Sequence, residues 1–298
     1  MLIASKIVEQ NPASYDVLCL SYNENEKYDY YFNRLSLVCE NSYRFVVYSE
    51  NKIYRIFDFA RFKFYLFKIL KNKYSKIYLA SIDNPFVHML LSYVHGQSIV
   101  TFDDGSANIY SESNYYKYVE KNKIQSFILE ILGNNYNISK VINESTFHYT
   151  IYEGHNNIVE EVRFLPMFLD IKTKKNSGVM KIFLGQPLDE LKGGNSNKII
   201  SFLKNLNIQN YFPHPRESLI YKDFNYIKTP LIFEDYILKL LEEGYQVDVY
   251  TVLSTAALNV ASLENVNVNV LYEEDLGLHY EKFYHLFNAL NCNILIVH

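Results

Sequence analysis

The sequence predicts an α/β protein of two parallel-sheet domains, and three observations carry that expectation. Short strand-like runs alternate with amphipathic helical stretches, a pattern that calls for right-handed crossovers and a buried, mostly parallel sheet. The alternation gives way to a mixed stretch and then begins afresh. At 298 residues the chain has room for two domains of ordinary size. The expected layout is a first domain over 1–155, a connector over 156–178 and a second domain over 179–298, facing each other across a cleft.

The chain opens on a helical pattern, MLIASKIVEQ, closed by Asn11-Pro12. A doubly wound domain ordinarily begins with a strand, so the first strand is expected to be missing from its usual place. Strand-like runs follow at 15–22, 44–50, 76–81 and 97–104, with helical patterns at 27–40, 54–72 and 84–94. Residues 111–143 read as mainly helical. Residues 144–178 read as a connector that ends in the polar run KTKKNSG. The second alternation has strands at 179–185, 207–212, 245–252, 265–273 and 292–298, and helices at 196–205, 232–243 and 280–290.

Composition narrows the function. With 49% hydrophobic and 21% charged residues the chain can bury real cores. A net charge of −4 supplies no basic field, which argues against nucleic acid as a partner. The 28 Tyr and 20 Phe, with no Trp, reflect AT-rich coding as much as function. Cys19, Cys39 and Cys292 lack metal or redox spacing and read as thiols of a reducing compartment. No secretory pattern and no membrane-length apolar run is present, so a cytoplasmic protein is expected. Arg55, Arg61, Lys63, Lys68, Lys71 and Lys73 interleave with aromatics over 55–73, which would suit peripheral contact with a membrane. A helix whose apolar stripe enters the core is the preferred reading.

Four junctions between strand and loop carry candidate chemistry. Asp103 and Asp104 precede Gly105; one acid can face the cleft while the other caps the turn. Gly185, Gln186 and Pro187 lead to Asp189 and Glu190, with Gly185 letting a ligand approach the backbone. In FPHPRES (212–218), Pro213 and Pro215 restrict His214 where a strand leaves its sheet, and Arg216 adds a cation. Ser254 and Thr255 open a short helix, as an N-cap or an anion site. Glu234 either favours a helix dipole or grips ribose hydroxyls. The sequence has no G-x-G-x-x-G, P-loop, H-E-x-x-H, G-x-S-x-G or D-x-D, which weakens nicotinamide, ATP, zinc-protease, hydrolase and metal-dependent transferase readings.

Taken in order, DDG (103–105), His-Pro (214–215) and Ser-Thr (254–255) resemble the bacterial sialyltransferases of glycosyltransferase family 52. NENEKYDYYFN (23–33), KIYLASID (76–83), TFDDGSANI (101–109), HYTIY (148–152), PHPRES (213–218) and FEDYIL (233–238) are also similar to that family. The resemblance covers nearly the whole chain. It implies two Rossmann-like domains in the GT-B arrangement, CMP-sialic acid as donor, a galactose-terminated glycan of capsule or lipooligosaccharide as acceptor, and inversion at the anomeric carbon. It implies no cofactor and no metal, and a homodimer.

By the same resemblance, His214 assists departure of CMP, Asp189 is the base, Ser254 and Thr255 hold phosphate, and Glu234 holds the cytidine ribose. The chain departs from the family pattern by an extra residue in GQPLDE, so Glu190 is an alternative base. Asp103 is a second, since sister families use the first acid of the acidic-Gly motif. Such a displacement passes through an oxocarbenium-like state, which needs an acid beside the leaving phosphate and a base at the acceptor hydroxyl. A nearby phosphate favours protonated histidine, which suits His214. Another CMP-sugar or polysialyl transferase, or an idle partner in a glycan-assembly complex, are the alternative functions.

Overall fold

The computed structural model describes residues 1–22, 25–48, 54–70, 74–94, 96–117, 123–167 and 177–297. Expectations that fall on residues 23–24, on Lys71 and Lys73, and on 168–176, most of the KTKKNSG run included, lie outside the described residues. The chain divides into two compact units, Met1–Met167 and Phe168–His298. The division falls inside the stretch expected as a connector.

The first unit runs α1 (Leu2–Gln10), β1 (Asp16–Ser21), α2 (Glu26–Ser36), β2 (Asn41–Val46), α3 (Arg55–Ile69), β3 (Lys76–Leu79), α4 (Pro85–Tyr93) and β4 (Ser98–Phe102). A 3-10 turn (Gly105–Asn108), α5 (Lys123–Ile131), α6 (Ile138–Glu144), β5 (Ser145–Thr150) and β6 (Val162–Phe164) follow. β1 pairs with β2, and β3-β4-β5-β6 form a second sheet; every pairing is parallel. α1 lies over that second sheet, its Ile7 buried with Val100, Phe102, Phe147 and Tyr149. An opening helix therefore serves as a core element here.

Two expectations change in this unit. The stretch read as a connector holds β5 and β6, which extend the β3-β4 sheet. Among the described residues, the 111–143 stretch is helical only over α5 and α6, and 111–117 is a run of turns. In α3 the expected core stripe is present, with Phe59, Phe62, Leu66 and Ile69 buried against Phe45, Phe86 and Met89. The opposite face also carries aromatics: Phe57, Phe64 and Phe67 are exposed. Among the described residues no helix is long and apolar enough to cross a membrane.

The second unit runs β7 (Gly178–Leu184), a 3-10 turn (Leu188–Glu190), α7 (Ser196–Asn205), β8 (Asn210–Phe212), β9 (Asn225–Tyr226), α8 (Phe233–Glu242), β10 (Tyr245–Thr251), α9 (Thr255–Leu258), β11 (Val266–Tyr272), α10 (Glu274–Ala289) and β12 (Asn293–Ile296). Its sheet is all parallel in the order β12-β11-β10-β7-β8-β9. From β7 the chain steps outward through β8 to β9, then returns to the other side of β7 for β10. The direction of winding thus reverses between β7 and β10. Val247, Val249, Val268, Val270, Ile182 and Phe183 are buried, so the central strands form the core.

The abundant asparagines punctuate the fold. Asn25, Asn84, Asn137 and Asn195 accept backbone N–H bonds at the starts of α2, α4, α6 and α7. Asn207, Asn265 and Asn291 take left-handed backbone angles in the turns before β8, β11 and β12. α10 begins six residues before the helix expected from 280, and Tyr280 itself has non-helical angles (φ −128°, ψ 25°).

Candidate functional site

The loops that carry the candidate residues of the second unit all follow carboxyl ends of strands in one sheet. β10, β7 and β8 are neighbours, so Ser254-Thr255, Gly185–Glu190 and His214 emerge side by side where the winding reverses. Open α/β sheets place their ligand sites at such an edge.

The loop after β7 is held from both sides. Gln186 is buried and its side-chain oxygen accepts the Leu253 N–H at 2.8 Å, which ties this loop to the one carrying Ser254. Pro187 then starts the 3-10 turn that leaves Asp189 and Glu190 exposed. The space beside Gly185 is already taken within the unit. A Cβ there would lie 2.4 Å from the Tyr211 ring and 2.7 Å from a Glu217 carboxylate oxygen. Gly185 thus admits those two side chains, where the sequence reading gave the room to a ligand.

The His214 loop is a hydrogen-bonded turn. The Glu217 N–H donates to the His214 carbonyl at 3.0 Å, with Pro215 at the corner position that its fixed φ favours. His214 is half-buried, and its Nδ1 accepts the Arg216 N–H at 3.1 Å. The proton of the neutral imidazole therefore sits on Nε2, which becomes the donor. Pro215 and Arg216 are exposed.

Glu217, which the sequence reading passed over, is the other half of this turn. Its Oε2 accepts the His214 N–H at 2.9 Å and its Oε1 accepts the Tyr211 hydroxyl. Burial raises the Glu217 carboxyl above its ordinary 4.5; the two hydrogen bonds oppose this and the nearby charge of Asp189 adds to it. The signal in the sequence was spacing, since an acid three residues after a turn-opening residue with Pro between them can fold back on that residue's amide.

Ser254 is the N-cap of α9 and makes no side-chain capping bond, while Thr255 is exposed. Glu234, in the first turn of α8, accepts from the Asn259 side chain at 2.7 Å, which links α8 to the end of α9. Burial raises the Glu234 carboxyl, and the Asn259 bond works against that rise.

In the first unit the two acids of the DDG run part company. Asp103 is buried at 2% exposure. Its Oδ1 meets His148 Nε2 at 2.8 Å, and its Oδ2 accepts from Thr150 Oγ1 at 2.9 Å and from the Ile151 N–H at 2.7 Å. Thr101 Oγ1 closes the chain on His148 Nδ1 at 2.8 Å. Asp104 is exposed, accepts from the Ser81 hydroxyl, and its charge helps burial push up the Tyr115 phenol. Gly105 has a φ of 66°, a left-handed angle that suits glycine at the start of the 3-10 turn. Among the described residues no group of three or more His, Cys, Asp or Glu gathers to hold a metal ion.

The chain is similar to known proteins along nearly its full length. The family model for glycosyltransferase family 52 matches residues 14–275. The CMP-N-acetylneuraminate:beta-galactoside alpha-2,3-sialyltransferase of Pasteurella multocida (strain Pm70) is 33% identical over 99% of this chain and 95% of its own length. An N-acetyllactosaminide alpha-2,3-sialyltransferase of Neisseria meningitidis serogroup A is 32% identical over 99% of this chain and 82% of its own. Another of that name, from Haemophilus influenzae (strain KW20 / Rd), is 30% identical over 91% of this chain and 88% of its own. On a match that spans most of its residues, this chain belongs to glycosyltransferase family 52.

Proposed function

We propose that the protein is an inverting, metal-independent sialyltransferase that moves sialic acid from CMP-sialic acid to a terminal galactose of a bacterial surface glycan, forming an α-2,3 linkage. The observation that carries this is the placement of Ser254-Thr255, Asp189 and His214 in the segments that leave three adjacent strands of one sheet. The names of the three relatives support the donor, the acceptor class and the linkage. In this reading both units are Rossmann-like and form a GT-B pair, the first on the acceptor side. Their parallel sheets support that.

The leaving CMP needs its phosphate charge met as the anomeric carbon–oxygen bond breaks. His214 offers Nε2–H for this task, since Nδ1 is occupied by the Arg216 N–H. Donation from the neutral ring requires no imidazolium, which departs from the protonated histidine expected above. Ser254 contributes a hydroxyl unspent on capping and Thr255 a second one; Glu234 receives the ribose hydroxyls. Arg216, exposed beside the turn, adds positive charge. Asp189 takes the proton of the acceptor hydroxyl as the new bond forms. Its exposure supports it as the base over Asp103, whose oxygens are both engaged. Glu190 is its exposed neighbour, and Asp104-Gly105 contact the acceptor from the first unit.

The reading also includes a homodimer and a peripheral membrane contact through the exposed aromatics of α3. Sedimentation and flotation with anionic vesicles test these two. The central test is transfer from CMP-sialic acid to a β-galactoside. His214→Ala should lower turnover about 10²–10⁴-fold with an unchanged melting temperature. Equal turnover removes His214 from the mechanism.

A further inference from the structure

Tyr211, Glu217, Gly185 and His214 form one device. The Tyr211 ring is fully buried, stacked on Tyr226 at 4.7 Å and edge-on to Phe183 at 5.2 Å and Phe224 at 5.4 Å. It is a rigid post, and its hydroxyl holds one oxygen of Glu217. Gly185, on the neighbouring strand's exit, supplies the space the pair occupies. From that anchor Glu217 takes hold of both backbone groups of His214, the N–H through its carboxylate and the C=O through its own amide. Pro213 and Pro215 have no N–H of their own to give to such a turn.

The turn in turn fixes the ring. The bond from Arg216 N–H to Nδ1 exists only while residues 214–217 keep their turn, and that bond places the proton on Nε2. We propose that Glu217 is a positioning residue for sialyl transfer, presenting the His214 Nε2–H to the departing phosphate. This rests on the sialyltransferase reading above. A carboxylate is the suitable group because a charge-assisted bond to a backbone N–H is roughly twice as strong as a neutral one. Tyr211, Tyr221, Tyr226 and Asp189 face it, and the repulsion from Asp189 is opposed by the bonds from Tyr211 and His214.

The test uses the full chain with two readouts. One is kcat and donor KM for CMP-sialic acid and a β-galactoside. The other is the ¹⁵N signature of the His214 imidazole, which reports which nitrogen carries the proton without any substrate. Glu217→Ala should lose about 10²-fold in kcat with little change in donor KM, and should lose the Nε2–H signature. Glu217→Gln can accept from the His214 N–H and donate to the Tyr211 oxygen, so it should recover most of both. An unchanged imidazole signature in Glu217→Ala overturns the proposal whatever the rate does. So does a Gln variant that falls as far as the Ala variant. If Glu217→Ala does not fold, Tyr211→Phe must shift the same signature, and no shift overturns the proposal. A wild-type protein that transfers no sialic acid sinks the sialyltransferase reading, while the imidazole signature still decides whether Glu217 positions His214.

Discussion

Asp103 and Glu217 are both carboxylates at the carboxyl edge of a parallel sheet, and their neighbours use them in opposite ways. Asp103 is sealed in, with partners drawn from β5 and the residue that follows it, and so staples β4 to β5. Glu217 is half-buried and grips a turn in which His214 is half-buried and Arg216 exposed. The comparison separates two uses of the same chemistry. A saturated, dry carboxylate stabilises its own unit; one that grips a half-buried turn is placed to orient that turn's side chains. Sequence position at a strand end does not distinguish them, whereas the count of partners does.

The sharpest way to break the comparison is Asp103→Ala, which strands His148, Thr150 and the Ile151 amide inside the first unit. It should cost about 3–5 kcal/mol of stability, the range for removing one partner of a buried polar pair. Denaturant melts measure this, and a loss under about 1 kcal/mol would put Asp103 among ordinary surface acids. Asp189→Ala should do the converse. Being exposed, it should change stability by no more than about 0.5 kcal/mol while turnover falls about 10²-fold or more. Equal turnover would return the role of base to Glu190 or Asp103.

Gly185→Ala comes next in size. Its methyl meets Tyr211 and Glu217 inside normal contact distance, so a loss of about 1–3 kcal/mol is expected. Turnover should fall with it if the Glu217 turn is displaced. The smallest effect is in pH dependence. Because burial raises the Glu217 carboxyl, the folded chain keeps a proton that the unfolded chain has lost above the ordinary 4.5. That contribution is present at low pH and disappears as pH rises through the folded value. Wild-type stability should therefore decline over that window more steeply than that of Glu217→Gln. Parallel profiles from urea titrations would show that Glu217 is not desolvated.

Much of this was legible in the sequence, for physical reasons. Apolar residues in a continuous run at 97–104, or alternating with polar ones at 245–252 and 265–273, mark strands by the period of two, so the sheets of both units announce themselves there. β5 did not, because His148 and Thr150 look like surface residues until Asp103 is placed beside them. α10 was read from Tyr280 onward because its periodicity breaks at that residue's non-helical angles. The positions of His214, Asp189 and Ser254 at strand exits were visible, because each follows an apolar strand-like run. Glu217 was not, since its partner Tyr211 reads as one more apolar residue of β8. Gln186 stood among the candidate residues after β7 with no partner visible, yet its oxygen accepts the Leu253 amide. Such pairings across chain-distant loops leave no mark on local pattern.

The left-handed asparagines of the second unit have a consequence of their own. Asn207, Asn265 and Asn291 sit where the chain enters β8, β11 and β12, at the end of the sheet opposite to the loops that leave it. Glycine fits such angles without strain. Durability of this half of the molecule can therefore drift, or be engineered, at one rim while the other keeps its chemistry intact. Substitutions along that border would alter heat tolerance at a distance from the loops that carry His214 and Asp189.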